Sequence, residues 1–155
     1  MRGAMAEIEP ITVTVDLPLT PAEAYRRFVD EFAAWWPVLT HSLSRDPATC
    51  CRLEPLARGR LYETAPDGSE HLWGQVEHAE PGARVCFTWH PGREPESAQW
   101  VTVSFDPTSL GCRVTLVHGG WEALGEIAPL LRAQYLPGWQ QVLGEHYAGH
   151  ARGPR

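Results

Sequence analysis

The sequence predicts an α+β domain in which a curved antiparallel sheet of about six to seven strands wraps around a C-terminal helix. Three observations point there. A strand-like segment and an amphipathic helix open the chain. Six short segments then alternate apolar and polar residues between turn signals, and helical periodicity returns only at the end. Hairpin-spaced strands pair antiparallel, and helices segregated from strands imply α+β architecture. One-sided alternation needs an apolar cover, and a terminal helix gripped by a twisted sheet supplies it while leaving a space between the two.

Each element has a local reason. Over residues 8–17, Ile11, Val13 and Val15 alternate with Thr12, Thr14 and Asp16, a period of two, and Pro18 ends the strand. Thr20 then caps a helix whose first position suits Pro21, with Glu23 as the carboxylate of a capping box. Ala24, Tyr25, Phe28, Phe32 and the Trp35-Trp36 pair recur at helical spacing, opposite Arg26, Arg27, Asp30 and Glu31. Pro37 stops this helix, and 41–46 is a short turn or loop. Strands follow over 51–56, 59–64, 70–79, 85–89, 99–105 and 112–118. They are separated by turns at Pro66-Asp67-Gly68, Glu80-Pro81-Gly82-Ala83 and 106–111, and by a polar loop over 91–97. Gly74 beside Trp73 can mark a bulge that flips the register. Gly119-Gly120-Trp121 closes the sheet. Helical propensity covers 124–135, and Leu136-Pro137-Gly138 interrupts it, because an interior proline costs about 3 kcal/mol. A separate terminal helix over 137–148 is therefore expected, burying Trp139, Val142, Leu143 and His146 or Tyr147.

Composition bounds the function. A chain of 155 residues suits one core, placed at 8–149, with 1–7 a flexible extension and 150–155 a fraying tail. The net charge of −6 argues against a broad nucleic-acid surface. Every one of the 13 basic residues is arginine, so neither a Schiff-base lysine nor a P-loop lysine exists. No apolar run reaches membrane-spanning length and no secretory leader is visible, so a cytoplasmic protein is expected. Cys50, Cys51, Cys86 and Cys112 form no CxxC pair and are expected as free thiols.

The candidate site begins at Trp35-Trp36-Pro37, followed by Thr40-His41-Ser42. Adjacent helical positions diverge by about 100°, so one indole belongs to the core and the other, Trp36, to a cavity lip. Phe87 and Trp89 share a strand face that would lie opposite Val101 and Val103, and Leu116 and His118 continue the inward face of the last strand. Trp139 opens the terminal helix. These residues together with His41 are the cavity candidates. For Trp121 and Trp139, packing anchors are the plainer reading. A buried His118 is either a satisfied core histidine or a polar group aimed into the cavity. The seven histidines show no HxH or HExxH spacing, so neither a metal nor a cofactor is expected. Asp30, Glu31, Glu63 and Asp67 read as solvated charges. Ser42 and Ser44 near His41 lack a nucleophile-elbow motif and an orienting carboxylate, so no catalytic set is assigned.

The ordered set of short motifs resembles the START/Bet v 1-like (SRPBCC) superfamily, in the branch related to the C-terminal domain of the heat-shock protein 90 ATPase activator. The set starts with Pro21-Ala22-Glu23-Ala24-Tyr25, Trp35-Trp36-Pro37 and Gly59-Arg60-Leu61-Tyr62-Glu63, then Trp73-Gly74-Gln75-Val76 and Phe87-Thr88-Trp89. It ends with Arg113-Val114-Thr115-Leu116-Val117-His118, Gly120-Trp121 and Gly138-Trp139. The resemblance implies a helix-grip fold over an apolar cavity. The Pro137-Gly138 step departs from it and implies a shortened final helix with a more open cavity. The resulting expectation is a non-catalytic binding protein for an apolar or amphipathic, lipid- or polyketide-like molecule. A cyclase- or hydrolase-like enzyme using a cavity histidine stays open beside it. So does a co-chaperone-like interaction module, with a second copy or a chaperone as protein partner.

Overall fold

The computed structural model describes residues 8–153. Seven strands form one antiparallel sheet: β1 (Ile11–Leu17), β2 (Cys50–Leu53), β3 (Arg60–Thr64), β4 (Glu70–Glu80), β5 (Arg84–Trp89), β6 (Gln99–Thr108) and β7 (Gly111–Gly119). Their order is β1-β7-β6-β5-β4-β3-β2, so β2 to β7 run as a meander and only β1 crosses to the far edge. Val101, Val103, Phe105, Cys112, Val114 and Leu116 alternate onto the buried face, the one-sided pattern that asked for a helical cover. The chain is α+β with a helix-grip arrangement, as the periodicities predict.

Between β1 and β2 the expected single helix is two, α1 (Pro21–Val29) and α2 (Phe32–Trp35). Thr20 caps α1, its hydroxyl accepting the Glu23 N–H at 3.1 Å. Ala24, Tyr25, Phe28 and Val29 carry the buried face, with Phe28 edge-on to Phe105 of β6 and Tyr147 of the last helix. The break lets the chain fold back, so Trp35 and Trp36 enter the interior from a single helical turn.

The C-terminal layer corrects one expectation. Helix α3 (Ala128–Gln141) passes straight through Pro137, continues as a π-helical stretch (Val142–Tyr147) and ends as α4 (Ala148–Arg152). Pro137 removes a hydrogen bond to the Ala133 carbonyl. Both residues lie on the exposed side of the helix, where water serves that carbonyl. Burial of Trp139, Val142, Leu143 and Tyr147, at about 1.5–3 kcal/mol per large apolar side chain, outweighs the proline penalty. The final helix is therefore not shortened. Helix α4 carries the chain to Arg152, with Ala151 buried and the His150 ring 2.7 Å from the Glu31 carboxylate. The predicted N-terminal extension at 1–7 lies outside the described residues. Among the described residues no helix is long and apolar enough to cross a membrane.

Candidate functional site

A cavity of about 380 Å³ opens between α3, the ends of β4 and β5, and the loop that follows α2. Four indoles form its walls, each delivered by a different element. Trp36 ends α2, and its indole stacks on Phe32 with ring centroids 5.0 Å apart. Trp89 is the last residue of β5, and Trp139 lies on α3. Trp73 comes from a bulge in β4: Leu61 pairs with Gly74 and Tyr62 with Leu72, so Trp73 is the extra residue and turns inward. Gly74 is required there because any side chain at that position would collide with the Thr88 carbonyl oxygen. The indoles touch one another, with centroids 5.5 Å apart for Trp36–Trp73, 5.7 Å for Trp73–Trp89 and 5.1 Å for Trp89–Trp139.

Polar groups sit at the rim. The loop over 40–45 presents Thr40, His41, Ser42 and Arg45, and α3 presents Gln134 and Tyr135. The Thr40 hydroxyl is 2.7 Å from Nδ1 of His41, and burial, followed by the positive fields of His146 and Arg45, holds the His41 pKa below its ordinary value. His41 is thus a neutral imidazole near neutral pH. The Tyr135 hydroxyl accepts the Trp89 indole N–H at 3.2 Å and keeps its own proton to give. Burial raises its pKa, which secures it as a donor.

The loop is held from beneath by Glu63, whose side chain is fully buried rather than solvated as its sequence setting suggested. Its carboxylate accepts the backbone N–H groups of Leu43 (2.7 Å) and Ser44 (2.8 Å), the Ser44 hydroxyl (2.6 Å) and the Trp73 indole N–H (3.1 Å). Burial alone pushes its pKa up, but the Ser44 hydroxyl and the other three donors together hold it below the ordinary carboxylate range. Two further bonds tighten the turn: the Trp36 indole N–H donates to the His41 carbonyl (2.7 Å) and the Ser42 hydroxyl to the Val38 carbonyl (2.6 Å).

Of the residues expected at the cavity, Trp36, His41, Trp89 and Trp139 line it, and Phe87, Val101, Val103 and Leu116 lie in the core behind it. His118 is also behind the wall. Nδ1 of its ring accepts the Trp139 indole N–H at 2.9 Å and Nε2 faces Oε1 of Gln99 at 3.2 Å. An indole nitrogen only donates, so the proton of His118 sits on Nε2 and both ring nitrogens are engaged. Burial pushes its pKa down to about 3. Leu131, Tyr135 and Arg45 were not anticipated. Leu131, Tyr135, Trp139 and Val142 recur at spacings of four, four and three, one face of a continuous helix, which the expected break at Pro137 concealed. Among the described residues no group of histidine, cysteine and carboxylate side chains could hold a metal ion.

The sequence over residues 18–146 matches the family described as Activator of Hsp90 ATPase homolog 1-like protein. The chain belongs to that family. No curated protein sequence matches it. Solved structures of the same fold include a protein from Chromobacterium violaceum, 23% identical, covering 96% of this chain and 100% of that one with a TM-score of 0.62. An Aha1 dimer from Colwellia psychrerythraea is 15% identical over 96% of this chain and 100% of its own, with a TM-score of 0.67. An anthrahydroquino-γ-pyrone synthase is 24% identical over 92% of this chain and 97% of its own, with a TM-score of 0.59. At these identities the likeness is one of fold. This Activator of Hsp90 ATPase homolog 1-like chain therefore has its chemistry decided by its own side chains.

Proposed function

We propose that the protein is a cytoplasmic, non-catalytic carrier or receptor for one small apolar or amphipathic molecule. The observation that supports it is the convergence of four indoles from four elements on a single cavity of about 380 Å³, within the size range of small-molecule sites. Indole faces supply affinity to a flat apolar body, and His41, Tyr135 and Gln134 at the rim orient whatever polar group it carries. The fold neighbour described as an anthrahydroquino-γ-pyrone synthase complexed with SUM agrees with a ligand-holding use of the same architecture. Catalysis is disfavoured because His41 has a threonine hydroxyl at Nδ1 where an orienting carboxylate would be needed, and His118 has no free nitrogen. The neighbour described as an Aha1 dimer supports a second copy as partner, which sedimentation analysis tests. The decisive experiment is native mass spectrometry of the protein from its own host, with organic extraction. A co-purifying aromatic, polyketide or lipid supports the proposal. A bare mass, with no flat aromatic probe quenching tryptophan emission, overturns it and favours a chaperone-directed interaction module.

A further inference from the structure

An aromatic cage of this kind would ordinarily suit a cation, because indole faces are electron-rich. The charges around it say otherwise. The protein carries 19 acidic residues against 13 arginines, yet among the described residues no carboxylate lines the cavity. Among the described residues the one full charge in the lining is Arg45, exposed on the rim loop. Arg26, Arg27, Arg60, Arg84 and Arg113 are each paired with an acidic side chain; Arg45, like Arg52, Arg58 and Arg93, has no carboxylate partner among the described residues, and of these four it alone lines the cavity. Its backbone is fixed: φ is 50° and its N–H donates to the Ser42 hydroxyl at 2.8 Å, on a loop that Glu63 bolts to the sheet. Tyr135, whose hydroxyl accepts from Trp89 and keeps its proton, adds a neutral donor to the lining.

We infer that the ligand is a flat aromatic bearing an acidic group, a carboxylate or phenolate, which Arg45 pairs with at the rim while the ring system lies among the indoles. The inference rests on the cavity being a binding site and adds the charge of what it binds. In a chain of net charge −6, a cation without a carboxylate partner at the mouth of a cavity whose described lining holds no carboxylate offers an anion a direct partner, while the carboxylate of Glu63 behind the wall is already engaged by Leu43, Ser44 and Trp73. Arg45 then acts as a specificity-determining residue: it selects among aromatic bodies that the indoles alone would hold alike.

The test is titration of tryptophan fluorescence with 2-naphthoate, its methyl ester and a naphthylmethyl trimethylammonium ion. The naphthoate is expected to bind about tenfold more tightly than the ester, with the cation weakest. Arg45→Gln should bring the naphthoate-to-ester ratio close to unity, with circular dichroism confirming an unchanged fold. Raising the salt should compress the same ratio in the unmodified protein. Equal affinity for naphthoate and ester, preference for the cation, or a ratio that Arg45→Gln leaves intact would overturn the anion assignment while leaving the cavity reading standing. Absence of binding by all three would overturn both.

Discussion

Trp139 donates its indole N–H to Nδ1 of His118 at 2.9 Å, so a core histidine sets the orientation of a cavity wall. Gln99 continues the chain, its Oε1 accepting a hydrogen bond from Nε2–H of His118 and its amide N–H donating to the Ser97 carbonyl at 2.6 Å. His118→Phe keeps bulk but orphans the Trp139 donor and the Gln99 acceptor, at about 1–3 kcal/mol for each buried group. Urea denaturation should show that loss. Ligand affinity should fall with it because Trp139 is no longer held. Nitrogen NMR of the unmodified protein should find His118 neutral with its proton on Nε2; a proton on Nδ1 would refute this reading of the network.

The same burial makes stability depend on pH. In the unfolded chain His118 takes up a proton near its ordinary 6.5, whereas in the folded protein it does so only at about 3. Below 6.5 the unfolded state therefore binds more protons, and stability falls as the pH drops from about 6.5 towards 3. The slope from this group is of order 1 kcal/mol per pH unit. Glu63, held below its ordinary range, adds a loss of the same sign once the pH falls past the ordinary carboxylate value of 4.5. Urea midpoints at successive pH values should decline in the unmodified protein, and the decline above pH 5 should flatten in His118→Phe.

Glu63 gives a third expectation. Glu63→Gln preserves shape but replaces an acceptor oxygen by a donor facing the donors of Leu43, Ser44 and Trp73. A charged acceptor's hydrogen bonds contribute about 1.5–3 kcal/mol, so a destabilisation of about that size is expected. Amide exchange at Leu43 and Ser44 should accelerate more than exchange in β6 and β7, because the loop over 40–45 loses its anchor while the central sheet does not. Uniform acceleration would mean that Glu63 supports the whole core instead.

The architecture was legible because its signals are periodic. Alternation in Val101-Thr102-Val103-Ser104-Phe105 and the Thr20-Pro21 helix start depend on nearest neighbours, and the structure follows them. Helical geometry gives Trp35 and Trp36 different neighbours although their rings touch: Trp35 packs against Phe28 and Tyr147, and Trp36 lines the cavity. Glu63 was misread although its signal was present, since it shares a strand face with the buried Leu61. Its charge masks that period, and the compensating donors come from a loop some twenty residues away. Arg45 could not be found from pattern, because its significance lies in what does not surround it.

Gly138 offers the most direct handle on the cavity. It lies on α3 one turn from Tyr135 and lines the space, and a Cβ built there would meet only Nε2 of His41, at an ordinary 3.9 Å. Gly138→Ala should therefore leave the fold intact and stabilise it by up to about 1 kcal/mol through helix propensity. Gly138→Leu carries a similar backbone benefit but projects its branch past His41 into the cavity, filling volume that a ligand would need. Binding of methyl 2-naphthoate, which has no charge for Arg45 to meet, should survive in Gly138→Ala and fall at least tenfold in Gly138→Leu, with thermal unfolding no lower than in the unmodified protein. Unchanged binding in a well-folded Gly138→Leu would place the aromatic body outside the cavity and remove the indole walls from the site.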